Sequence, residues 1–150
     1  MDIYEALRQS HDNQRALCRR LLRTRPGTAA RTEIFRDLFV ELEAHAAAEE
    51  RFLYAPMLME DAGLSSSRHA LSEHHEIEEM LEDLSVPDKG TDDWLTGAKA
   101  LSDKVRHHLK EEERGFFQVS GKILTEKQKS TLARKYLADF ERMKRRLRAA

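Results

Sequence analysis

His108-Leu-Lys-Glu-Glu112-Glu113-Arg114-Gly-Phe116-Phe117 has a near copy at His45-Ala-Ala-Ala-Glu49-Glu50-Arg51-Phe52-Leu53. In each, a histidine is followed four residues later by a glutamate, then by a second glutamate and an arginine. His45 and His108 are 63 positions apart, and so are Glu49 and Glu112, and His11 and His74. Three matched pairs at one offset read as an internal duplication. What it preserves is a set of metal-ligand residue types.

The residues around these motifs set the fold class. With 40% hydrophobic and 35% charged residues but only three prolines and six glycines in 150 residues, the composition is that of an all-helical protein with a sizeable core. A formal net charge of −1 offers no global attraction to nucleic acid or to an anionic membrane. The basic run Lys144-Arg145-Arg146-Leu147-Arg148 reads as a solvated helix end favoured by the macrodipole. Cys18 is the only cysteine, which excludes an internal disulfide or a thiolate zinc module, and its place is in the core. No hydrophobic run approaches the ~20 residues of a membrane span. Met1-Asp-Ile-Tyr-Glu carries no signal-like core, so the expected location is the cytoplasm.

In chain order, a first helix is expected from about Asp2 to Arg23, opened by an Asp2/Glu5 capping box and interrupted on its apolar stripe by His11. A second starts near Thr32, carries His45 and Glu49, and ends near Pro56 or just beyond. Residues 62–67, Ala-Gly-Leu-Ser-Ser-Ser, read as a loop before a third helix bearing His74. A fourth begins at Thr91 or Asp92 and carries His108, Glu112, Phe116 and Phe117 to Ser120-Gly121-Lys122. A last amphipathic helix follows Thr125, with Tyr136, Phe140 and Met143 on its apolar face. The expected architecture is one domain over residues 1–150. It is an up-down four-helix bundle over about residues 1–120, with an additional C-terminal helix over about 125–148 that covers its own bundle.

Adjacent histidines identify the interior face, because neighbouring helical residues point about 100° apart. His74 shares a face with Ala70, Leu71, Ile77 and Leu81, whereas His75 faces Glu78, Glu79 and Glu82. His108 shares a face with Leu101, Val105 and Phe116, whereas His107 sits among Asp103, Lys104, Glu111 and Arg114. The interior pair is therefore His74 and His108, the same two that the duplication selects. His69 receives no role. Glu49 and Glu112 each follow an interior histidine by one helical turn, roughly 6 Å along the axis and about 40° around it. They project into the same space, and buried carboxylates require a compensating cation.

Four imidazoles and two carboxylates exceed the needs of one tetrahedral site. They suit two metals, each with two histidines, bridged by both glutamates and open at further positions. Such mixed nitrogen and oxygen ligation matches non-haem iron sites that handle oxygen, while ligand type alone leaves zinc and manganese open.

The ordered set His11, His45-x-x-x-Glu49, His74, His108-x-x-x-Glu112 resembles the hemerythrin-like HHE cation-binding family over about residues 1–120. Leu53-Tyr54 followed by Pro56 is similar to that family's second-helix ending. The resemblance implies a di-iron centre of two non-haem iron ions, with Glu49 and Glu112 as bridges and His11, His45, His74 and His108 as terminal ligands. Oxygen-carrying members have a further histidine where this chain has Glu78, so its ligand set is poorer in histidine. Glu111 is assigned to the surface, and Glu50 and Glu113 are open between surface and ligand. The implied function is binding of oxygen, peroxide or nitric oxide in sensing, scavenging or stress response. The alternative is an iron-storage or iron-sensing binding module without turnover, and a sensor would require a separate protein partner. A haem protein leaves the two glutamates unexplained, and a phosphotransfer bundle wants an exposed histidine. No nucleic-acid or membrane partner is expected, and the chain is a monomer or a homodimer.

Overall fold

The computed structural model describes all 150 residues, and every regular element in it is helical. The helices are α1 (Ile3–Leu22), α2 (Ala29–Glu49), α3 (Ala55–Leu58), α4 (Asp61–Leu84), α5 (Asp92–Glu111), α6 (Phe117–Ile123) and α7 (Glu126–Ala149). A π-helical turn, Glu50–Tyr54, joins α2 to α3 without a break, and a second, Glu112–Phe116, joins α5 to α6. These make an up-down bundle in which α1 packs on α2 and α5, and α4 on α5 and α2, with α7 laid along α1 and α2.

Local chemistry explains the helix starts. Asp2 and Glu5 form the expected capping box, and Thr125 and Gln128 form another at the head of α7. Thr28 and Thr91 each accept from the backbone N–H three residues on, which starts α2 at Ala29, earlier than Thr32. The turn before α2 contains Gly27 at φ 74°, the one residue in the left-handed region. Arg31, buried at the far end of the bundle, donates to Thr24 O and Lys89 O, both at 2.8 Å, and ties the α1–α2 loop to the α4–α5 loop.

Residues 62–67 are not a loop. They form the first turns of α4, where a Cβ on Gly63 would lie 2.8 Å from the Met57 carbonyl oxygen, so only glycine permits that approach of α4 to α3. Buried Ser67 donates to Gly63 O at 2.7 Å, satisfying its hydroxyl inside the helix. Packing overrides a serine-rich composition that by itself favours a loop.

Two apolar clusters fill the interior. One contains Leu7, Ala48, Leu53, Ala70, Phe116 and Tyr136, and the other Leu17, Leu42, Ile77, Trp94 and Val105. Along each of the four bundle helices, with α5 read on through its π turn, residues of the two clusters lie on either side of one inward histidine. The histidines thus form a polar layer sealed at both ends by hydrocarbon.

Candidate metal centre

All six residues singled out by the duplication converge in that layer. His11, His45, His74 and His108 are 0, 3, 8 and 3% exposed, and Glu49 and Glu112 are 0 and 3% exposed. His75 and His107 lie outside, with side chains 71 and 69% exposed. Glu78 is exposed as well and does not reach the layer. The donors fall into two groups whose atoms all lie within 4.8 Å of one another, His11–His45–Glu49–Glu112 and Glu49–His74–His108–Glu112. Both carboxylates belong to both groups. The paired rings stand edge to face, with centroids 5.1 Å apart for His11 and His45 and 4.9 Å for His74 and His108.

Each ring is held from behind through Nδ1. His11 meets Glu113 at 2.7 Å, His74 meets Glu50 at 3.0 Å, His108 meets Glu73 at 2.9 Å, and His45 meets the Tyr136 hydroxyl at 2.7 Å. An acceptor behind Nδ1 selects the tautomer with its proton there, which turns the Nε2 lone pair inward and makes the ring a better donor. These outer partners are themselves anchored. Arg15 donates to Glu113 at 2.7 Å, and Lys104 to Glu73 at 3.3 Å. Glu50 and Glu113 are therefore neither bare surface groups nor part of the inner set: they orient it.

Inward, His11 Nε2, His45 Nε2, His108 Nε2, Glu49 Oε2 and Glu112 Oε1 are buried without a hydrogen-bond partner in the protein. Unpartnered buried acceptors in such number are costly in a stable fold. Cations in the two donor groups would satisfy all of them, so the residues present fit metal.

Tyr54 is the inner residue the motifs did not mark. Its hydroxyl lies between the carboxylates, within hydrogen-bond reach of Glu49 Oε1 at 2.9 Å and of Glu112 Oε2, which share its single proton, and stands 3.3 Å from His74 Nε2. Five residues of α-helix would leave it roughly 140° around the axis from Glu49. The π turn, closed by the Ala55 N–H on Glu50 O, widens the helix there and carries the phenol back onto the site. The second turn, closed by the Phe117 N–H on Glu112 O, does the same for Phe117, which stacks on His11 with centroids 5.8 Å apart.

Charge follows from this layout. Burial opposes a proton on His11, but Glu112 and Glu113 outweigh it and hold the ring at about 9. Burial is likewise outweighed at His74 by Glu49 and Glu50, which raise it to about 10. His45, backed by a phenol instead of a carboxylate, is lowered by burial. Burial and the two carboxylates push Tyr54 well above the ordinary phenol range. Without a cation, then, protons on His11 and His74 balance the buried carboxylates.

A cavity of about 230 Å³ reaches the centre past His45, His74 and His108, with Glu43, Glu50 and Glu78 nearer its mouth. Burial, then Glu78, Glu50 and Glu82, raise Glu43 to about 7.

Comparison with known proteins agrees with this geometry. The model of the hemerythrin HHE cation-binding domain matches residues 2–119. A crystal structure of a hemerythrin HHE cation-binding domain-containing protein from Mycobacterium kansasii superposes with a TM-score of 0.84 at 23% identity, covering 96% of this chain and 88% of that one. A protein of Nostoc sp. strain PCC 7120 described as a DNA nickase is 24% identical over 147 residues, 98% of this chain. This chain spans only 41% of that protein's length. The chain belongs to the hemerythrin HHE cation-binding family.

Proposed function

We propose that this hemerythrin HHE chain holds two non-haem iron ions, one at His11 and His45 and the other at His74 and His108, with Glu49 and Glu112 shared between them. There it binds a small ligand, oxygen, peroxide or nitric oxide, in sensing, scavenging or stress response. The observation that carries this reading is the ring of inward-facing donors without protein partners, each histidine fixed from behind. Bound iron supplies exchangeable ligand positions and redox chemistry; nitrogen and oxygen donors without thiolate suit it.

The protein's own groups supply selection and protons. The cavity is smaller than the ~300 to 1,000 Å³ of drug-sized pockets, so it favours ligands of a few atoms. Tyr54 Oη holds a proton at the centre, and Glu43 near the cavity mouth exchanges one near neutral pH. A proton held at the centre suits peroxide chemistry, which needs protons at oxygen.

The nickase name belongs to the Nostoc relative. A phosphodiester backbone does not reach donors buried in the middle of a bundle, and nucleic acid is not part of this reading. Buried Cys18, raised to about 11 by burial, suits a reducing compartment such as the cytoplasm. No helix is long and apolar enough to cross a membrane. The apolar face of α7 is spent on its own bundle, and Met1, Met59 and Val86 are the only exposed large hydrophobics, which favours a monomer.

Iron analysis with optical spectra in air, after reduction and after adding peroxide or nitric oxide tests the proposal. The expected result is two irons per chain, with spectra that change with each ligand. Protein from iron-replete cells lacking stoichiometric iron overturns it. Iron that neither binds these ligands nor consumes peroxide supports the storage or iron-sensing alternative instead.

A further inference from the structure

Three histidines play no part in the buried centre, and each repeats its His-x-x-x-Glu spacing; beyond His75-x-x-x-Glu79, two of these pairs meet. His69-x-x-x-Glu73 lies on α4 and His107-x-x-x-Glu111 on α5, each with the spacing of the inner pairs. The helices bring them together: His69 Nε2 lies 2.7 Å from Glu111 Oε1 and 3.5 Å from Glu73 Oε1, and His107 Nε2 lies 3.2 Å from Glu111 Oε2. Donor atoms of His69, Glu73 and Glu111 all fall within 4.8 Å of one another.

A second observation gives the cluster a direction. A cavity of about 310 Å³ is lined by His69, Glu73 and Glu111 on the outside and by His108 and Glu112 further in. Buried His108 Nε2 and Glu112 Oε1 have no protein partner. Glu73 stands between the two layers, approached on Oε1 by His69 and hydrogen-bonded there to His108 Nδ1. A cation held outside is one carboxylate away from the centre.

We propose that His69, Glu73 and Glu111 form an outer transit site for a divalent cation, ferrous iron in the first instance, through which the buried centre is loaded. The role as a loading site rests on the reading of that centre as a metal site. Imidazole and carboxylate are suitable donors for such an ion. His69 and Glu111 are solvent-exposed, so the ion is held weakly and exchanges, as transit requires. Carboxylates at the mouth raise the local cation concentration and hence the rate of capture.

The test uses the full chain stripped of metal by chelation. Ferrous iron is added without oxygen at limiting concentration, and filling of the centre is followed in the wild type, in the double variant His69→Ala/Glu111→Gln, and in Glu78→Gln at the other cavity. The double variant is expected to load about tenfold more slowly yet reach the wild-type final iron content, while Glu78→Gln loads normally. Equal loading rates in the wild type and the double variant, or slowing only in Glu78→Gln, overturn the proposal. A parallel equilibrium titration with Co2+ reads the outer cluster directly. A weak site lost in the double variant supports the proposal, and its absence from the wild type overturns it. A buried centre that binds no metal shows separately, as a wild type that never fills with iron, and the Co2+ titration still decides the outer site.

Discussion

The two halves of the bundle, related by the offset of 63 residues, differ in their tyrosines and in what stands behind one histidine. Inner donors match pair by pair, and so do the outer carboxylates Glu50 and Glu113 behind His74 and His11. Behind His108 stands Glu73, but the corresponding position behind His45 is Ser10, whose hydroxyl is turned to Glu41 at 2.7 Å. A serine is too short to replace the carboxylate. Tyr136 of α7 fills the gap, so this C-terminal helix completes the half whose own repeat is incomplete. At the next pair, Tyr54 puts a phenol between the carboxylates while Phe117 puts a bare ring against His11. The inner donors are duplicated in full; the groups that set basicity and proton supply are duplicated only in part.

Breaking the comparison at α7 has the largest expected effect. Tyr136→Ala removes a fully buried aromatic and is expected to destabilise the fold by about 3–5 kcal/mol, read as a lowered thermal midpoint. Tyr136→Phe keeps the packing and isolates the hydroxyl. Making the halves alike at the phenol comes next. Tyr54→Phe is expected to retain both metals but to slow peroxide consumption by roughly a hundredfold, as loss of a positioned proton donor does. Smaller again are the outer partners. Glu73→Gln and Tyr136→Phe are each expected to weaken metal affinity about tenfold in competition with a chelator, with the Glu73 change the greater because it removes charge.

The smallest effect is a pH dependence confined to the metal-free protein. His11 at about 9 and His74 at about 10 are raised above the ordinary 6.5 of histidine. Their protonated forms therefore contribute stability that is full below about pH 6.5 and is lost as pH rises through 9 and 10. Thermal midpoints of the metal-free protein should fall over that window, while those of the metal-loaded protein hold steady. Parallel curves for the two forms would show that these rings do not meet the metal.

The inner set was legible because a one-turn spacing on an amphipathic helix fixes both face and height, and because the exposed neighbours His75 and His107 gave the choice of His74 and His108 a control. Five helical rods, with α2–α3 and α5–α6 each continuous through its π turn, follow from the same periodicity. Other features had no such local signal. Residues 62–67 are helical because α4 packs against α3 through Gly63, a contact between segments. Tyr54 is brought inward by a π turn, which α-helical periodicity cannot anticipate. Glu73 sits beside His74 on what reads as a polar face and becomes visible only when α5 is set against α4. Tyr136 lies 91 residues from the histidine it supports, and the Ser10 that makes it necessary looks unremarkable until aligned with Glu73.

The most direct test of the shared-carboxylate centre is metal content per chain in the wild type beside Glu112→Ala. Because Glu112 belongs to both donor groups, the account predicts two metals in the wild type and neither in the variant. A variant that folds and keeps one full equivalent would contradict it, since Glu112 would then serve a single ion and the two halves would be separate sites.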